Sequence, residues 1–222
     1  MKSILSLHIP KTAGSSFYQL LKANYPGQIS ESLRREHLME MKKKGLGLRQ
    51  YLPPGTEVIH GHVTAAEALD VIREEDPLII AFFRDPADRV ISNYCYFIDL
   101  LKNPEQKQQN PAVYEINKHR IHESIYEYAE MEENRNVMSK YLAPLRPNDL
   151  FFCGLMEQYA ADVQRLATRL GWQHKSVDRI NVKAHLRREY VKETQDLRFF
   201  LRKMNADDVA LYKEVQRLRK AR

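Results

Sequence analysis

The pattern of apolar and polar positions divides the chain into short apolar runs, each followed by a longer amphipathic stretch. The runs at residues 3–9, 57–60, 78–83 and 149–153 predict buried strands. Residues 78–83 read LIIAFF, which is typical of a central parallel strand covered on both faces. Because the strands alternate with helices, the pattern predicts βαβ units and an α/β fold with a central parallel sheet.

Helices are predicted where apolar positions repeat every three or four residues. Asp85 and Pro86 are a suitable N-cap and first helical residue for the helix that follows the third strand. Residues 102–111 are polar and are predicted to form a loop. The other predicted helices begin near Ser15, cover residues 31–44, 65–73, 115–142, 157–170 and 187–202, and end with one that starts at Asn205.

The composition is that of a folded globular protein, and 222 residues suit a single domain, residues 1–222. Lys and Arg exceed Asp and Glu by 35 to 29, a net charge of +6, which fits either solvated helix faces or an anionic ligand. The basic residues are dispersed and match no nucleic-acid-binding motif, so no nucleic acid is expected as a partner. Cys95 and Cys153 have no zinc or redox spacing and are interpreted as buried thiols.

The N-terminal apolar stretch is too short for a signal peptide, because Pro10 and Lys11 interrupt it. No apolar run approaches the ~20 residues that a membrane-spanning helix needs. We therefore expect a cytoplasmic protein that does not insert into a membrane.

The first segment with chemical character is residues 8–17, HIPKTAGSSF, between a predicted strand and a predicted helix. N–H groups at a helix N-terminus stabilise an anion, and Gly14 allows the backbone to approach a phosphate closely. Ser15 and Ser16 add hydroxyl donors, and Lys11 adds a positive charge. The segment is not a Walker A loop, because Lys11 precedes the glycine. The alternative is an ordinary strand-to-helix turn with a serine cap.

The second segment, residues 84–92, follows the third predicted strand. Arg84 lies at the carboxyl end of that strand, where a parallel sheet binds ligands, and its planar fork matches phosphate oxygens. Arg84 and Ser92 could hold a second phosphate, whereas Arg89 fits equally a structural ion pair. Two phosphate sites at one sheet edge match 3′-phosphoadenosine 5′-phosphosulfate (PAPS), while ATP would need only one.

The third segment is the pair His60 and His62 around Gly61, after the second predicted strand. The pair could bind a metal, although two histidines without an acidic or cysteine partner make a poor zinc site. It could be structural. One histidine could also be a general base, because imidazole titrates near neutral pH.

Together, residues 8–17, 60–63 and 84–92 resemble, in order and spacing, the PAPS-dependent carbohydrate sulfotransferases of the uronosyl 2-O-sulfotransferase type (sulfotransferase family 2). The resemblance implies a P-loop-NTPase-like three-layer fold with a central parallel sheet flanked by helices. It implies transfer of a sulfuryl group from PAPS to a hydroxyl, with 3′-phosphoadenosine 5′-phosphate (PAP) as product and no metal required. The chain looks like a compact, bacterial-type member.

The resemblance also implies roles for individual residues. His62 is the expected base, with His60 as its partner, and Lys11 is expected to stabilise charge on the leaving phosphate. Residues 183–188 are the counterpart of the family's basic loop over the nucleotide. The donor-binding residues it implies are Lys11, Thr12, Ala13, Gly14, Ser15, Ser16 and Phe17 for the 5′-phosphosulfate, and Arg84 and Ser92 for the 3′-phosphate.

The acceptor is expected to be a sugar or another hydroxyl compound, which could be anionic. Residues 103–141 combine basic and aromatic side chains suited to such a ligand, but any single one of them fits a solvated helix pair packed by tyrosines equally well. These side chains are Lys118, His119, Arg120, His122, Tyr126, Tyr128 and Arg135.

Two other functions remain open: a P-loop kinase-like phosphotransferase and a non-catalytic nucleotide-binding module.

Overall fold

The computed structural model describes residues 2–174, 187 and 189–221, and the statements below concern these residues. They form two compact units. The first contains residues 2–84, 137–174 and 210–221, and the second contains residues 85–136 together with the described residues between 187 and 209. That the chain is one domain stays a prediction.

The sheet of the first unit is parallel throughout, with strand order β2-β1-β3-β4. Its strands are β1 (Ile4–Leu7), β2 (Val58–Gly61), β3 (Leu78–Phe83) and β4 (Phe152–Leu155). Leu7 of β1 is in register with Gly61 of β2, so the two strands end at the same level. The sites that follow β1 and β2 in the sequence therefore begin side by side.

The described helices alternate with these strands or extend from them. In chain order they are α1 (Gly14–Asn24), α2 (Arg35–Lys44), α3 (Leu48–Tyr51), α4 (Leu69–Glu75), α5 (Pro86–Lys102), α6 (Pro104–Gln109), α7 (Pro111–Asn117), α8 (Ile125–Glu130), α9 (Val137–Leu142), α10 (Tyr159–Leu170), α11 (Gln195–Met204) and α12 (Ala206–Ala221).

The sheet of the first unit is covered on both faces. Side chains alternate along each strand, so Ile4 and Ile80 point to one face, where they pack with α1 and α10. Leu5 and Ile79 point to the other face, where they pack with α2, α3, α4, α9 and the part of α12 in this unit. The predicted three-layer α/β fold with a central parallel sheet is confirmed.

The second unit has its own apolar core between α5, α8 and α11, which includes Val90, Ile98 and Leu197. Asp85 caps α5 as predicted, accepting a hydrogen bond from the Asp88 N–H at 3.1 Å. The carboxylates of Asp85 and Asp88 also form ion pairs with arginines that lie in α11 or before it. The ion pairs join Asp85 to Arg198 and Arg202, and Asp88 to Arg187 and Arg198.

Several predicted boundaries are wrong. Residues 102–111 contain helix α6 and the start of α7, each with proline at its first position. The predicted helix 115–142 is interrupted by short 3₁₀ turns, Lys118–Arg120 and Glu132–Asn134. The predicted helix 187–202 is helical at residues 187, 189 and 190 but is interrupted at residues 191–194. Helix α11 begins at Gln195, where the Thr194 hydroxyl accepts from the Leu197 N–H at 3.1 Å.

The prediction for the cysteines is confirmed, since Cys95 and Cys153 are both buried thiols. Within the described part of the chain, every helix is too short or too polar to cross a bilayer.

Candidate active site

The loop between β1 and α1 has an unusual backbone. Lys11 and Ala13 both adopt left-handed conformations, with φ of 70° and 71°. Such a conformation costs a residue other than glycine about 1–2 kcal/mol and is most often found at functional sites. Two of the three residues at positions 11–13 are therefore strained. Such strain is common in binding loops and rare in plain turns.

The N-cap residue of α1 provides no side-chain cap for the helix. Ala13 occupies the N-cap position, where it has no side chain that can accept a hydrogen bond. The first helical hydrogen bond runs from the Phe17 N–H to the Ala13 carbonyl at 3.1 Å. The helix therefore begins without a cap from its N-cap side chain, and the partial positive charge of a helix N-terminus makes this end suited to an anion.

The side chains of the loop divide between support and surface. Thr12 is buried, and its hydroxyl donates to the Ile9 carbonyl at 2.8 Å, so it braces the loop. Ser16 and Phe17 are buried as well, and the Phe17 ring contacts Trp172 in the core. Ser15 is exposed, so among these side chains its hydroxyl is the one placed at the surface.

Arg84 joins the end of β3 to this loop. Its Nη1 donates to the Lys11 carbonyl at 3.1 Å, which uses one of the five N–H donors of the guanidinium. The structure thus brings the first and second sequence segments together at Lys11 and Arg84.

The other residues of the second segment lie on α5 in the second unit. Ser92 is half-buried there, and its role in donor binding stays a prediction. Arg89 is fully buried, and its Nη2 donates to the Asn134 carbonyl at 2.9 Å. This contact fits the structural alternative for Arg89.

His60 is deeply buried in β2. Its side chain is 1% exposed, and its Nδ1 lies 2.9 Å from the Ser6 Oγ on the neighbouring strand. The ring stacks on Tyr18 with centroids 5.1 Å apart. Burial lowers the pKa of His60 to about 3, with a smaller effect from the neighbouring His62. A side chain so enclosed cannot touch an acceptor in this conformation.

His62 lies one residue beyond β2 and is only partly buried. Its Nδ1 is 2.9 Å from the His8 carbonyl. Because a carbonyl only accepts, the neutral ring carries its proton on Nδ1, which leaves the Nε2 lone pair unprotonated. Burial lowers the pKa of His62, opposed by this hydrogen bond and assisted by the charge of Arg34. His62 is therefore neutral near pH 7 and can accept a proton at Nε2.

Comparison with known proteins finds little at the level of sequence. No protein-family model matches the chain, and a search of the curated proteins finds no relative. Among solved structures, the chain is similar to a sulfotransferase from Alicyclobacillus acidocaldarius, with a TM-score of 0.44 and 17% identity over 97% of this chain and 96% of that one. It is also similar to mouse sulfotransferase SULT7A1 complexed with PAP, with a TM-score of 0.42 and 15% identity over 95% of this chain and 77% of that one.

His8 completes the site, although the sequence pattern predicts no individual role for it. Its ring stacks on His62 with centroids 3.9 Å apart and lies 5.0 Å from the ring of His60. The signal was available in principle, because His8 and His62 each follow a strand end and those strands pair in register. Within the described residues, no group of three or more histidine, cysteine or acidic side chains is arranged to hold a metal ion.

Two further predictions concern other parts of the chain. Residues 183–186 and Arg188 of the predicted nucleotide loop lie outside the described residues. In the predicted acceptor segment, Arg120 is committed to an ion pair with Glu123 at 2.9 Å and to the face of Phe97 at 4.5 Å. Tyr128 is buried in the core of the second unit. These two residues are structural, and the acceptor role of the segment as a whole stays a prediction.

Proposed function

We propose that the protein is a PAPS-dependent sulfotransferase that transfers a sulfuryl group to a hydroxyl of a carbohydrate or a similar acceptor. One observation carries the proposal: the start of α1, where Ala13 offers no capping side chain and both Lys11 and Ala13 are left-handed, lies beside a histidine whose tautomer is that of a base. His8 connects the two, since its ring lies against Gly14 and its carbonyl binds His62.

The donor residues fit the two charged ends of PAPS. Lys11 and the N–H groups at the start of α1 would bind the 5′-phosphosulfate, and the exposed hydroxyl of Ser15 could add a hydrogen bond. Arg84, held against the loop at Lys11, would bind the 3′-phosphate. Ser92 is proposed as a second ligand of that phosphate on the strength of the sequence resemblance.

The proposed chemistry is a direct displacement at sulfur. The acceptor oxygen forms a bond to sulfur as the bond from sulfur to the bridging phosphate oxygen breaks, and the acceptor proton passes to the His62 Nε2. Lys11 and the helix-terminal N–H groups stabilise the charge that develops on the leaving phosphate, which departs as PAP. We assign the base role to His62 rather than His60, because His60 is enclosed while His62 presents an unprotonated nitrogen.

Isothermal titration with PAP, AMP and ATP tests the donor site. We expect PAP to bind more tightly than AMP and ATP, because only PAP carries both phosphates that the loop and Arg84 are proposed to bind. Arg84→Ala should weaken PAP binding about 10- to 100-fold, the range expected for hydrogen bonds to a charged group. AMP affinity should change much less.

Arg73→Ala is the matched control, because Arg73 is an exposed arginine of the same unit on α4. Its PAP affinity should equal that of the wild type. Equal affinity for PAP and ATP, or an Arg84→Ala protein that binds PAP normally, would overturn the donor assignment. A protein that binds PAP selectively but transfers no sulfuryl group to any acceptor in a broad sugar panel would instead indicate a non-catalytic nucleotide-binding module.

A further inference from the structure

His8 occupies the space between the proposed phosphate loop and the proposed base. A Cβ atom placed on Gly14 would come within 1.8 Å of the His8 Cδ2, so the imidazole fills the volume that any larger residue at position 14 would need. On its other side the same ring stacks on His62, with 24° between the ring planes. His8 therefore touches both halves of the site.

The backbone of His8 is fixed as firmly as its ring. Its N–H donates to the Gly61 carbonyl at 2.8 Å, and its carbonyl accepts from the His62 Nδ1. The first of these bonds extends the β1–β2 ladder by one residue beyond the strands, which places the His8 ring beside the His62 ring. One residue thus supplies both the hydrogen bond and the aromatic surface that define the orientation of the His62 imidazole.

The ring of His8 is 9% exposed, and its Nδ1 makes no hydrogen bond within the described residues. Burial, followed by the proximity of His62, His60 and Lys11, lowers the pKa of His8 to about 2. A positively charged neighbour would repel a proton from His62. Because the His8 ring stays neutral, it can stack on His62 without lowering the affinity of His62 for a proton in this way.

We propose that His8 is a positioning residue of the transfer reaction, whose ring holds the His62 imidazole in its reactive orientation and shields it from water. This role rests on the proposed function. The charge of Arg34, which precedes α2, also lowers the pKa of His62, and this charge stays in place when His8 is replaced. The effect of removing His8 should therefore differ from a general loss of stability.

The test measures the protonation of His62 in the free protein by NMR, in the wild type, His8→Ala and His8→Phe. Removing the ring in His8→Ala exposes His62 to water, so its titration midpoint should move up toward 6.5, the ordinary value for histidine. The proton should stay on Nδ1 in the neutral form, because the carbonyl at position 8 remains. His8→Phe restores an aromatic face and should return the midpoint toward its wild-type value.

Activity provides the second measurement. In His8→Ala, kcat should fall about 10- to 100-fold, as expected for a misplaced catalytic group. The acid limb of the pH profile of kcat/KM should move to higher pH together with the NMR midpoint, because both report the free protein. Tyr18→Leu is the matched control, because it removes a ring that stacks on His60 and has no ring contact with His62. Its acid limb should stay in place even if its stability falls.

The outcomes separate this inference from the proposed function. Selective PAP binding together with an unchanged His62 midpoint in His8→Ala would overturn the role of His8 alone. A loss of activity that is equal at all pH values, and that melting curves show to match the fraction unfolded, would overturn it as well. A wild type that does not bind PAP would overturn the proposed function, while the NMR comparison would still decide whether His8 orients His62.

Discussion

The buried histidines predict an acid-sensitive fold. In the folded state the pKa of His8 lies near 2 and that of His60 near 3, whereas in the unfolded chain both return to about 6.5. Below pH 6.5 the unfolded state therefore binds more protons than the folded state, and stability falls with falling pH. The stability that these two neutral rings contribute is complete above pH 6.5 and is lost progressively toward pH 3.

The magnitude follows from the number of protons taken up. At pH 5 each histidine is almost fully protonated in the unfolded chain and neutral in the fold, so each lowers the free energy of unfolding by about 2 kcal/mol relative to neutral pH. The two together give a slope of about 2.7 kcal/mol per pH unit near pH 5. That loss is a large share of the ~5–15 kcal/mol by which typical domains are stable.

Urea denaturation between pH 5 and pH 7.5 measures this slope. The single tryptophan, Trp172, is buried against Tyr25 in the same unit as the histidines, so its fluorescence reports on the unfolding of that unit. Most carboxyl groups stay ionised above pH 5, so the histidines dominate the pH dependence in this range. His60→Gln should reduce the slope by about 1.4 kcal/mol per pH unit.

A His119→Gln variant, which replaces an exposed histidine, provides the comparison. A free energy of unfolding that does not change between pH 6.5 and pH 5 would refute the reasoning. The same holds if His60→Gln shows the full wild-type slope.

Two further predictions concern the base and the core. His62→Ala should lower turnover by about 10²–10⁴-fold and leave PAP affinity unchanged, and sulfuryl transfer at the wild-type rate would exclude His62 as the base. Asp162 is fully buried, accepts from the Leu155 N–H at 2.8 Å and pairs with Arg219 at 2.8 Å. Asp162→Asn should therefore destabilise the first unit by about 3–5 kcal/mol in urea denaturation, while Glu115→Gln, which breaks an exposed ion pair, should have no measurable effect.

Local signals in the sequence predicted much of the fold. The run at residues 78–83 is apolar at every position and is strand β3. Gly171 ends α10 in the left-handed conformation, as a glycine after a helix commonly does. Such features depend on a few neighbouring residues, so they can be predicted without knowing the tertiary structure.

Other features depended on contacts between distant residues. Residues 31–34 were predicted to be helical, but Leu33 pairs with Gly61 beside β2, which delays the start of α2 to Arg35. The helix that begins at Pro104 has a local signal, because Asn103 before Pro104 is the same type of cap signal as Asp85 before Pro86. The Asn103 Oδ1 accepts from the Glu105 N–H at 3.0 Å.

The candidate site shows the same division. The positions of Lys11, Arg84 and His62 at strand ends could be predicted from the sequence, because a parallel sheet places those ends together. The contact between His8 and His62 is harder to predict, because it depends on the pairing and register of two strands that lie far apart in the sequence. The protonation state of the histidines also depends on burial, which only the packed structure provides.

The two left-handed residues of the loop bear on how this protein would respond to selection for thermal robustness. Glycine at position 13 would relieve strain of about 1 kcal/mol, and glycine at position 11 would do the same. The second change, however, would remove the only ammonium group that the loop contains. Under the proposed function, Lys11 lowers the stability of the loop but provides the positive charge that the reaction needs. Variants evolved or engineered for heat resistance alone should therefore lose Lys11, and their turnover should fall.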